Sequence, residues 1–373
     1  MSITTRAAIA RGPHIGWELA ELQLDDPKEY EVRVRFHAAG LCHSDHHITT
    51  GDVARARFPI VGGHEGAGVV EAVGPHVRRV KVGDRIVCSY IPACGACRPC
   101  SAGHQNMCVK GLNAGTGMFL DGTFRFHLGE EDLGGFCSLG TFSQYAVVSE
   151  FACVPIADDI PFDVASLVGC GVPTGWGSAV YSAGVRAGET VVIYGAGGLG
   201  SNAVQGARYA GAKNVVVVDP VEFKRDTATF FGATHTFATA KEAHEFVVET
   251  TWGKLADRAI CTPGVVTEEM VNDAVQVVGK GGKVVITAVG HAGERAVHVH
   301  AGALISYQRQ VRGALFGDCN PLFDIPRLLD LYRAGDLKLD ELITRRYRLD
   351  EVNDAYRDLT EGKNIRGVIV HES

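Results

Sequence analysis

The sequence predicts an α/β protein of two domains, in which a β-rich domain encloses a second domain built on a doubly wound parallel sheet. Three observations predict this class. The chain has 373 residues, and at roughly 150 residues per domain this length favours two domains. Short strand-like segments broken by glycine and proline fill its first part. A strand, a glycine-rich turn, a helix and a second strand then follow one another from residue 190.

The first part of the chain is expected to be β-rich. Apolar or alternating runs with many β-branched residues cover residues 30–40, 66–74 and 84–90, a pattern typical of strands. Glycine makes up 46 of the 373 residues, well above the usual ~7%. This excess indicates many tight turns and close backbone approaches, and ligand-binding loops are one cause of it.

The middle of the chain predicts a parallel sheet. TVVIYGAGGLG (190–200), an alanine-rich helical stretch and NVVVVDP (214–220) form a βαβ unit. Further strands are predicted at 256–262 and 282–290, with a helix around 268–278 between them. Because these strands are apolar throughout, they fit a parallel sheet that helices cover on both faces.

The end of the chain is expected to return to the first domain. It holds a helical segment at 324–335 and a closing strand at 365–372. The predicted domains are therefore residues 1–171 together with 315–373, and residues 172–314.

Charge and hydropathy argue against several function classes. The formal net charge is −7 and the basic residues are scattered, so the chain lacks the basic patch of a nucleic-acid-binding protein. It has no apolar run of about eighteen residues and no apolar signal core at its start, which predicts no membrane partner and a cytoplasmic location.

The chain contains 11 cysteines. Because disulfides are unusual in the cytoplasm, we expect some of these cysteines to bind metal.

Four of these cysteines lie close together in a loop with glycine and proline: Cys94, Cys97, Cys100 and Cys108. Four thiolates in one short segment can surround a tetrahedral Zn²⁺ and leave no open position, which defines a structural site. An iron–sulfur cluster is the weaker alternative because ferredoxin spacings differ. We expect this zinc to stay bound without being needed for the chemistry.

A second set of metal-binding residue types is dispersed: Cys42 in GLCHSDHH, His64 in GGHEGAG and Cys170 in GCGVPTGWG. Two thiolates and one imidazole leave a fourth tetrahedral position open, as a catalytic zinc requires. A lone cysteine or histidine among apolar residues is more often simply packed in the core. The spacing by itself leaves both interpretations open.

The segment GAGGLG contains Gly195, Gly197, Gly198 and Gly200, follows an apolar strand and opens a predicted helix, and Asp219 ends the next strand. In this context the motif indicates dinucleotide binding. The glycines let the backbone approach a pyrophosphate at the helix N-terminus, and Asp219 can bond the adenosine ribose hydroxyls. Since that carboxylate repels a 2′-phosphate, NAD is favoured over NADP.

These three signals, in this order, resemble the zinc-dependent medium-chain alcohol dehydrogenases over essentially the whole chain. Several segments are similar to the bacterial nicotinoprotein branch of that family, which uses nitrosodimethylaniline as an artificial acceptor: GLCHSDHH, GGHEGAGVVEAVG, DGTFRFH (121–127), TFSQY (141–145), GCGVPTGWGSAVY and DPVEFKR (219–225). The resemblance implies a GroES-like catalytic domain, a Rossmann domain that binds NAD, an active site between them, and two zinc ions per chain, one catalytic and one structural.

The resemblance also implies roles for individual residues around the catalytic zinc. Cys42, His64 and Cys170 match its ligands, and Glu65 matches a transient ligand. Asp45 matches a residue close behind the metal that orients His64.

Ser44 and His47 match a proton relay, in which the alcohol proton passes through the serine hydroxyl and the nicotinamide ribose to the histidine and then to solvent. Without the resemblance, Ser44 and Asp45 would be capping residues of a helix that begins near His46. His47 would then be a solvated surface residue.

Three further residues are implied in dinucleotide binding. Lys224 resembles a residue that supports the adenosine ribose, and Arg366 matches a pyrophosphate contact. Without the resemblance both are ordinary exposed charges. His43 stands where many relatives have a second pyrophosphate-binding arginine, so the dinucleotide contacts are expected to differ at this position.

The function implied is oxidation of a primary or small secondary alcohol to an aldehyde or ketone, with hydride transfer to NAD that stays bound and is recycled by an external acceptor. Tyr90, Phe136 and Val53 are expected to shape an apolar substrate pocket. The long loop between Cys108 and Cys170 is kept in dimeric relatives and predicts a homodimer, with a tetramer second. Two alternatives stay open: a mycothiol- or glutathione-dependent formaldehyde dehydrogenase, and a noncatalytic dinucleotide-binding or structural protein.

Overall fold

The computed structural model describes residues 2–52, 56–290 and 296–372. The chain forms two compact units. Unit 1 consists of three segments: Met1–Cys170, Asn320–Gly335 and Leu339–Ser373. Unit 2 consists of two segments: Gly171–Cys319 and Asp336–Lys338. Among the described residues, none of the helices has both the length and the apolar character needed to cross a membrane.

The strands of both units are numbered together along the chain. They are β1 (Ile3–Ala10), β2 (Glu18–Leu24), β3 (Glu31–Gly40), β4 (Ile60–Val61), β5 (Glu65–Val73), β6 (Arg85–Cys88), β7 (Phe126–Leu128), β8 (Glu131–Gly135), β9 (Tyr145–Ser149), β10 (Cys153–Pro155), β11 (Thr190–Tyr194), β12 (Asn214–Val218), β13 (His235–Phe237), β14 (Ala256–Cys261), β15 (Val278–Ile286), β16 (Gln310–Gly313), β17 (Ile343–Tyr347) and β18 (Arg366–Val370).

The α-helices are numbered in the same way. They are α1 (His43–Thr50), α2 (Arg98–Ser101), α3 (Phe162–Leu167), α4 (Gly171–Gly177), α5 (Gly198–Tyr209), α6 (Glu222–Phe230), α7 (Ala240–Thr250), α8 (Glu268–Val277), α9 (Ala301–Tyr307), α10 (Pro321–Arg333) and α11 (Val352–Thr360). A π-helical turn at Ser178–Ala183 follows α4. Short 3-10 turns lie at Gln105–Met107, Val109–Gly111, Phe136–Ser138, Glu150–Ala152, Phe316–Asp318, Asp340–Leu342 and Leu349–Glu351.

Unit 1 contains two β structures. Five strands close a barrel in the order β1-β2-β7-β8-β4, and a seven-stranded sheet runs in the order β10-β6-β5-β3-β18-β17, with β9 also paired to β3. Strands β3, β5 and β6 lie where the sequence pattern predicted strands. The last strand, β18, pairs antiparallel with β3, so the end of the chain completes a sheet begun near its start. The core between these structures includes the fully buried side chains of Ile9, Leu22, Phe36 and Phe142.

Unit 2 is a parallel sheet of six strands in the order β13-β12-β11-β14-β15-β16. Counted within the unit, this order is 3-2-1-4-5-6, the order of the Rossmann fold. Every residue of β11 and β12 is buried, as expected for apolar β-branched strands covered on both faces. The predicted α/β class and the Rossmann sheet are confirmed.

Helix α10 begins earlier than the sequence pattern predicted. The expected segment starts at residue 324, whereas the helix starts at Pro321. Proline fits the first turn of a helix because the amide that it lacks would have no intrahelical partner there. The helix therefore gains most of a turn that apolar periodicity alone did not indicate.

Candidate metal centres and dinucleotide loop

The start of helix α1 places a cysteine and a carboxylate in unit 1. Cys42 is the N-cap residue of the helix, with extended backbone and no side-chain capping bond. The alternative that Ser44 or Asp45 caps a helix beginning near His46 is wrong, because both residues lie inside the first turn. Their side chains are therefore not used as caps.

Asp45 instead bridges to the segment before β5. Its Oδ1 accepts a hydrogen bond from the Gly63 N–H at 2.9 Å, and its Oδ2 lies 3.0 Å from Nδ1 of His64. Both Asp45 and His64 are buried. Burial disfavours a charged imidazole, but the carboxylate raises the pKa of His64 well above its ordinary value. A carboxylate in contact with Nδ1 orients the ring and leaves Nε2 available as a metal ligand.

Four buried side chains converge at this point of unit 1. The ligand atoms of Cys42, His64, Glu65 and Cys170 all lie within 4.8 Å of one another. Cys42 precedes α1, His64 and Glu65 stand at the start of β5, and Cys170 follows α3. The structure thus brings together three segments that the spacing in the sequence left unrelated, and we call these residues the Cys-His-Glu cluster.

The two thiols of the Cys-His-Glu cluster differ in their acidity. The hydrogen bond from Cys170 holds the pKa of the Cys42 thiol well below its ordinary value, and His64 adds to this effect. The same hydrogen bond, together with burial, raises the pKa of Cys170. Two sulfurs and an imidazole nitrogen form a donor set that suits zinc.

Glu65 is held by a partner on the last strand of the unit. The guanidinium of Arg366 forms a buried ion pair with its carboxylate. Burial raises the pKa of Glu65 to about 7, although Arg366 acts in the opposite direction. The alternative that Arg366 is an ordinary exposed charge is wrong, since it is 3% exposed. Its contact with a pyrophosphate stays a prediction.

Two of the three expected pocket residues lie beside the cluster. The rings of Tyr90 and Phe136 stand edge-on to the His64 ring, with centroids 5.7 and 5.3 Å away. Aromatic walls of this kind exclude water and favour apolar substrates. Val53 lies outside the described residues.

The two residues of the expected proton relay lie on helix α1. The hydroxyl oxygen of Ser44 is 3.6 Å from Sγ of Cys42. His47 follows three residues later and therefore lies on the same face of the helix. It is 2% exposed, so the alternative that it is a solvated surface histidine is wrong. Its Nδ1 lies 3.3 Å from Oδ2 of Asp52, a residue that the sequence analysis did not select.

The four clustered cysteines of unit 1 also converge. The sulfurs of Cys94, Cys97, Cys100 and Cys108 lie within 4.8 Å of one another, and all four are free of disulfides. Backbone N–H groups point at the sulfurs, with Cys94 N–H to Cys108 Sγ and Cys97 N–H to Cys94 Sγ both at 3.4 Å. Such bonds favour thiolates: the amide of Cys100 is the main reason that the pKa of Cys97 falls to about 6. Four thiolates fit a closed tetrahedral zinc site.

Arg79 holds the start of this cysteine loop and was also missed by the sequence analysis. Its guanidinium donates to the carbonyl oxygens of Ala93 at 2.7 Å and Phe151 at 3.0 Å. A positive charge at this place offsets the negative charge of a tetrathiolate site. No local motif marks such a residue, because its partners come from distant segments.

The glycine loop of unit 2 joins β11 to α5. Gly195 has a left-handed backbone, with φ of +93°, and Gly197 is the N-cap residue of α5, which begins at Gly198. Oδ2 of Asp219, at the end of β12, accepts the Ala196 N–H at 2.8 Å. A helix N-terminus with an acidic residue beside it is the arrangement that binds a dinucleotide.

Positions 197 and 200 of this loop are occupied by glycine for two different physical reasons. A Cβ at Gly200 would lie 1.9 Å from the carbonyl oxygen of Gly195, whereas a Cβ at Gly197 meets no described atom within 4 Å. Gly200 is therefore required by the fold, and Gly197 leaves open the space that a pyrophosphate needs.

We expect Gly200→Ala to lower the free energy of unfolding by about 1–3 kcal/mol through steric strain. Gly197→Ala should leave thermal unfolding unchanged and weaken NAD binding at least tenfold, because the new methyl group occupies ligand space. Thermal denaturation and calorimetric titration with NAD measure the two effects. Equal melting temperatures for the two variants would contradict this assignment.

The two remaining residues that were expected to bind the dinucleotide lie on helices α6 and α1. Lys224 is half-buried on α6 of unit 2, and His43 is half-buried as the first residue of α1 in unit 1. The His43 ring lies 6.5 Å from that of His47. Their roles toward a dinucleotide stay predictions.

Comparison with known proteins gives matches along most of the chain. Residues 28–158 match the family model described as alcohol dehydrogenase GroES-like domain, and residues 198–333 match that described as zinc-binding dehydrogenase. The chain is 54% identical to an NDMA-dependent alcohol dehydrogenase from Amycolatopsis methanolica, with 99% of each chain covered. It is 55% identical to a putative alcohol dehydrogenase D from Mycobacterium tuberculosis, covering 98% of this chain and 100% of the relative.

A solved structure of an alcohol dehydrogenase domain protein also has the same fold as this chain. The alcohol dehydrogenase zinc-binding domain protein from Burkholderia ambifaria superposes with a TM-score of 0.92 at 30% identity, with 100% of each chain covered. The fold and the matched domains define a zinc- and dinucleotide-dependent oxidoreductase.

This chain belongs to the zinc-dependent medium-chain alcohol dehydrogenases. The expected family, fold and cofactor classes are confirmed. The alternative of a noncatalytic protein is wrong, because the matched relatives and domains are those of an enzyme family.

Proposed function

We propose that this enzyme oxidises a primary or small secondary alcohol to an aldehyde or ketone, with NAD as the hydride acceptor, and that NAD(H) stays bound between turnovers. The observation that carries the proposal is the convergence of Cys42, His64 and Cys170, while Arg366 binds the nearby carboxylate of Glu65. Three ligands of nitrogen and sulfur then leave room for a substrate oxygen.

The residues of the Cys-His-Glu cluster would hold and orient the metal. Cys42, His64 and Cys170 would be the ligands, and Asp45 fixes the ring of His64 through its Nδ1. When bound, zinc acts as a Lewis acid that lowers the pKa of a coordinated alcohol, and NAD accepts the hydride. Tyr90 and Phe136 exclude water beside His64.

The proton of the alcohol leaves through side chains of helix α1. Ser44 accepts it first, since its hydroxyl lies next to Cys42, and the imidazole of His47, one turn later on the same helix, is the next side chain of the relay. The carbinol hydrogen leaves as a hydride with its electron pair, so the products are the carbonyl compound, NADH and one proton.

Asp219 and the glycine loop bind the dinucleotide in unit 2. Each oxygen of the Asp219 carboxylate accepts a backbone N–H, from Ala196 at 2.8 Å and Val221 at 2.9 Å, which fixes its position at the end of β12. A carboxylate held there can accept hydrogen bonds from ribose hydroxyls and repels a 2′-phosphate, which supports NAD rather than NADP.

Denaturing the purified enzyme and measuring the released dinucleotide tests the bound-cofactor proposal. We expect roughly one NAD(H) per chain, as for a cofactor that does not exchange, and turnover of a primary alcohol with nitrosodimethylaniline without added NAD. The variant His64→Ala is the matched control, since it keeps unit 2 intact but lacks a ligand of the Cys-His-Glu cluster. Activity that depends on added free NAD would contradict the proposal and leave the family assignment intact.

The same turnover assay, with formaldehyde as the substrate, distinguishes the proposed alcohol dehydrogenase from a thiol-dependent formaldehyde dehydrogenase. If formaldehyde is oxidised only when mycothiol or glutathione is present, and simple alcohols are not substrates, the enzyme is a thiol-dependent formaldehyde dehydrogenase.

We also propose, from the sequence analysis, that the enzyme is a cytoplasmic homodimer that binds neither nucleic acid nor membrane.

A further inference from the structure

The end of helix α1 has an unusual polar contact. Gly51 has a left-handed backbone with φ of +83°. Its N–H bonds to the Ile48 carbonyl at 3.2 Å, and the N–H of Asp52 bonds to the His47 carbonyl at 2.9 Å. These two bonds form a Schellman motif, which folds the residue beyond the glycine back over the last turn of the helix.

The Schellman motif brings a carboxylate to an imidazole. Oδ2 of Asp52 lies 3.3 Å from Nδ1 of His47 and accepts a hydrogen bond from the Thr50 hydroxyl at 2.7 Å. The side chains of His47 and Asp52 are only 3% and 14% exposed. This position of the motif commonly holds an apolar contact, so a carboxylate paired with an imidazole here requires another explanation.

We propose that Asp52 is a positioning residue for proton transfer: it accepts the Nδ1–H of His47 and thereby fixes both the orientation and the tautomer of the ring. This inference rests on the proposed function, because it assigns a use to the relay histidine. Asp52 itself touches neither substrate nor cofactor in this role.

The chemistry follows from the tautomer. With the proton of neutral His47 held on Nδ1, the lone pair of the ring lies on Nε2, which accepts the proton that leaves the alcohol through Ser44. The resulting imidazolium is stabilised by the Asp52 carboxylate, which accepts its Nδ1–H. The imidazolium then returns its proton from Nε2 to water, and the ring is ready for the next turnover.

Helix α1 therefore presents three groups in order. The Ser44 hydroxyl lies beside Cys42, the His47 imidazole follows one turn later, and the Asp52 carboxylate stands just beyond the C-terminal glycine. A shift of the carboxylate by one residue would break this order, since only the residue after Gly51 is folded back by the Schellman motif. The segment HHITTGD thus encodes the contact locally.

The test compares Asp52→Asn and Asp52→Ala with wild type as the complete NAD-containing enzyme. We expect kcat/KM for a primary alcohol to fall about 10- to 100-fold, the loss typical when a supporting hydrogen-bond partner is removed. Melting temperature, zinc content and bound NAD(H) should stay at wild-type values. Neutral imidazole added to the buffer should restore part of the lost rate, because a mobile base replaces the misplaced ring.

Asp330→Asn is the matched control. Asp330 is an exposed residue of unit 1, 74% exposed and paired only loosely with Arg333 at 3.6 Å. Its substitution removes the same charge from a different helix, α10, so the kinetics of this variant should equal those of wild type. A similar loss in this variant would show that net charge, not position, is responsible.

A readout independent of activity is the ¹⁵N NMR spectrum of the His47 side chain. Wild type should show the proton on Nδ1, and Asp52→Asn should show a mixture of tautomers. The inference is overturned if both spectra are the same, or if the loss of rate comes with a lower melting temperature and no rescue by imidazole. If wild type has the Nδ1–H tautomer but oxidises no alcohol, the proposed function fails and the Asp52–His47 pairing stands.

Discussion

Replacing His64 by alanine is expected to abolish alcohol oxidation, with kcat/KM lower by on the order of 1,000-fold or more, while the chain stays folded. The substitution removes one of three nitrogen and sulfur ligands from the Cys-His-Glu cluster, so a metal with an open position can no longer be held. Metal content, measured by atomic emission, should fall from two zinc ions per chain to one. The free energy of unfolding should fall, because the buried Asp45 carboxylate loses its imidazole partner, but the other cysteine site remains.

Two further variants make this prediction decisive. Cys170→Ser should behave like His64→Ala, since it removes a second ligand of the same cluster. Cys153→Ala is the control: Cys153 is a fully buried cysteine of unit 1 that belongs to neither metal-binding cluster, and this variant should keep two zinc ions and wild-type activity. If His64→Ala retained both metal ions and its rate, the proposed oxidation chemistry would be excluded.

Replacing Cys97 by serine is expected to have the largest effect on stability. The substitution removes one of four ligands that lie within 4.8 Å of one another, and metal binding at a structural site contributes directly to folding free energy. We expect a loss of about 3–5 kcal/mol and a melting temperature lower by about 10 °C. Zinc content should fall to one ion per chain, with the catalytic metal retained.

The rate constant of the folded Cys97→Ser enzyme should remain close to that of wild type when it is measured well below the melting temperature. Met107→Ala provides a control in the same loop, because Met107 is 51% exposed and its side chain offers no strong ligand. An unchanged melting temperature in Cys97→Ser would show that this cluster has no structural role.

Features encoded in one short segment could be predicted from the sequence. The cluster of Cys94, Cys97, Cys100 and Cys108 was selected from spacing alone, because its four ligands lie on one loop. The glycine motif before α5 could also be predicted from the sequence. Gly195 and Gly200 lie in one short segment, and Asp219 follows the next strand of the same βαβ unit. The parallel, doubly wound sheet of unit 2 was predicted from the βαβ pattern, whereas its strand order was observed only in the structure.

Features that depend on distant segments could not be predicted in this way. The burial of Arg366 against Glu65 joins the last strand to the middle of unit 1, and Arg79 reaches carbonyl groups of two separate loops. His47 was selected only through the family resemblance, although its contact with Asp52 arises from a local helix end. That contact was missed because the glycine was not recognised as the end of α1.

The sequence by itself determined the two-domain α/β class, the dinucleotide loop and the tetrathiolate site, because hydrophobic periodicity and short-range spacing act within single segments. Only the tertiary structure decided that Cys42, His64 and Cys170 share one point, that Arg366 pairs with Glu65, and that His47 is buried. The physical reason is that these contacts are made by packing of the barrel, the sheet and helix α1, and packing energies depend on residues far apart in the chain.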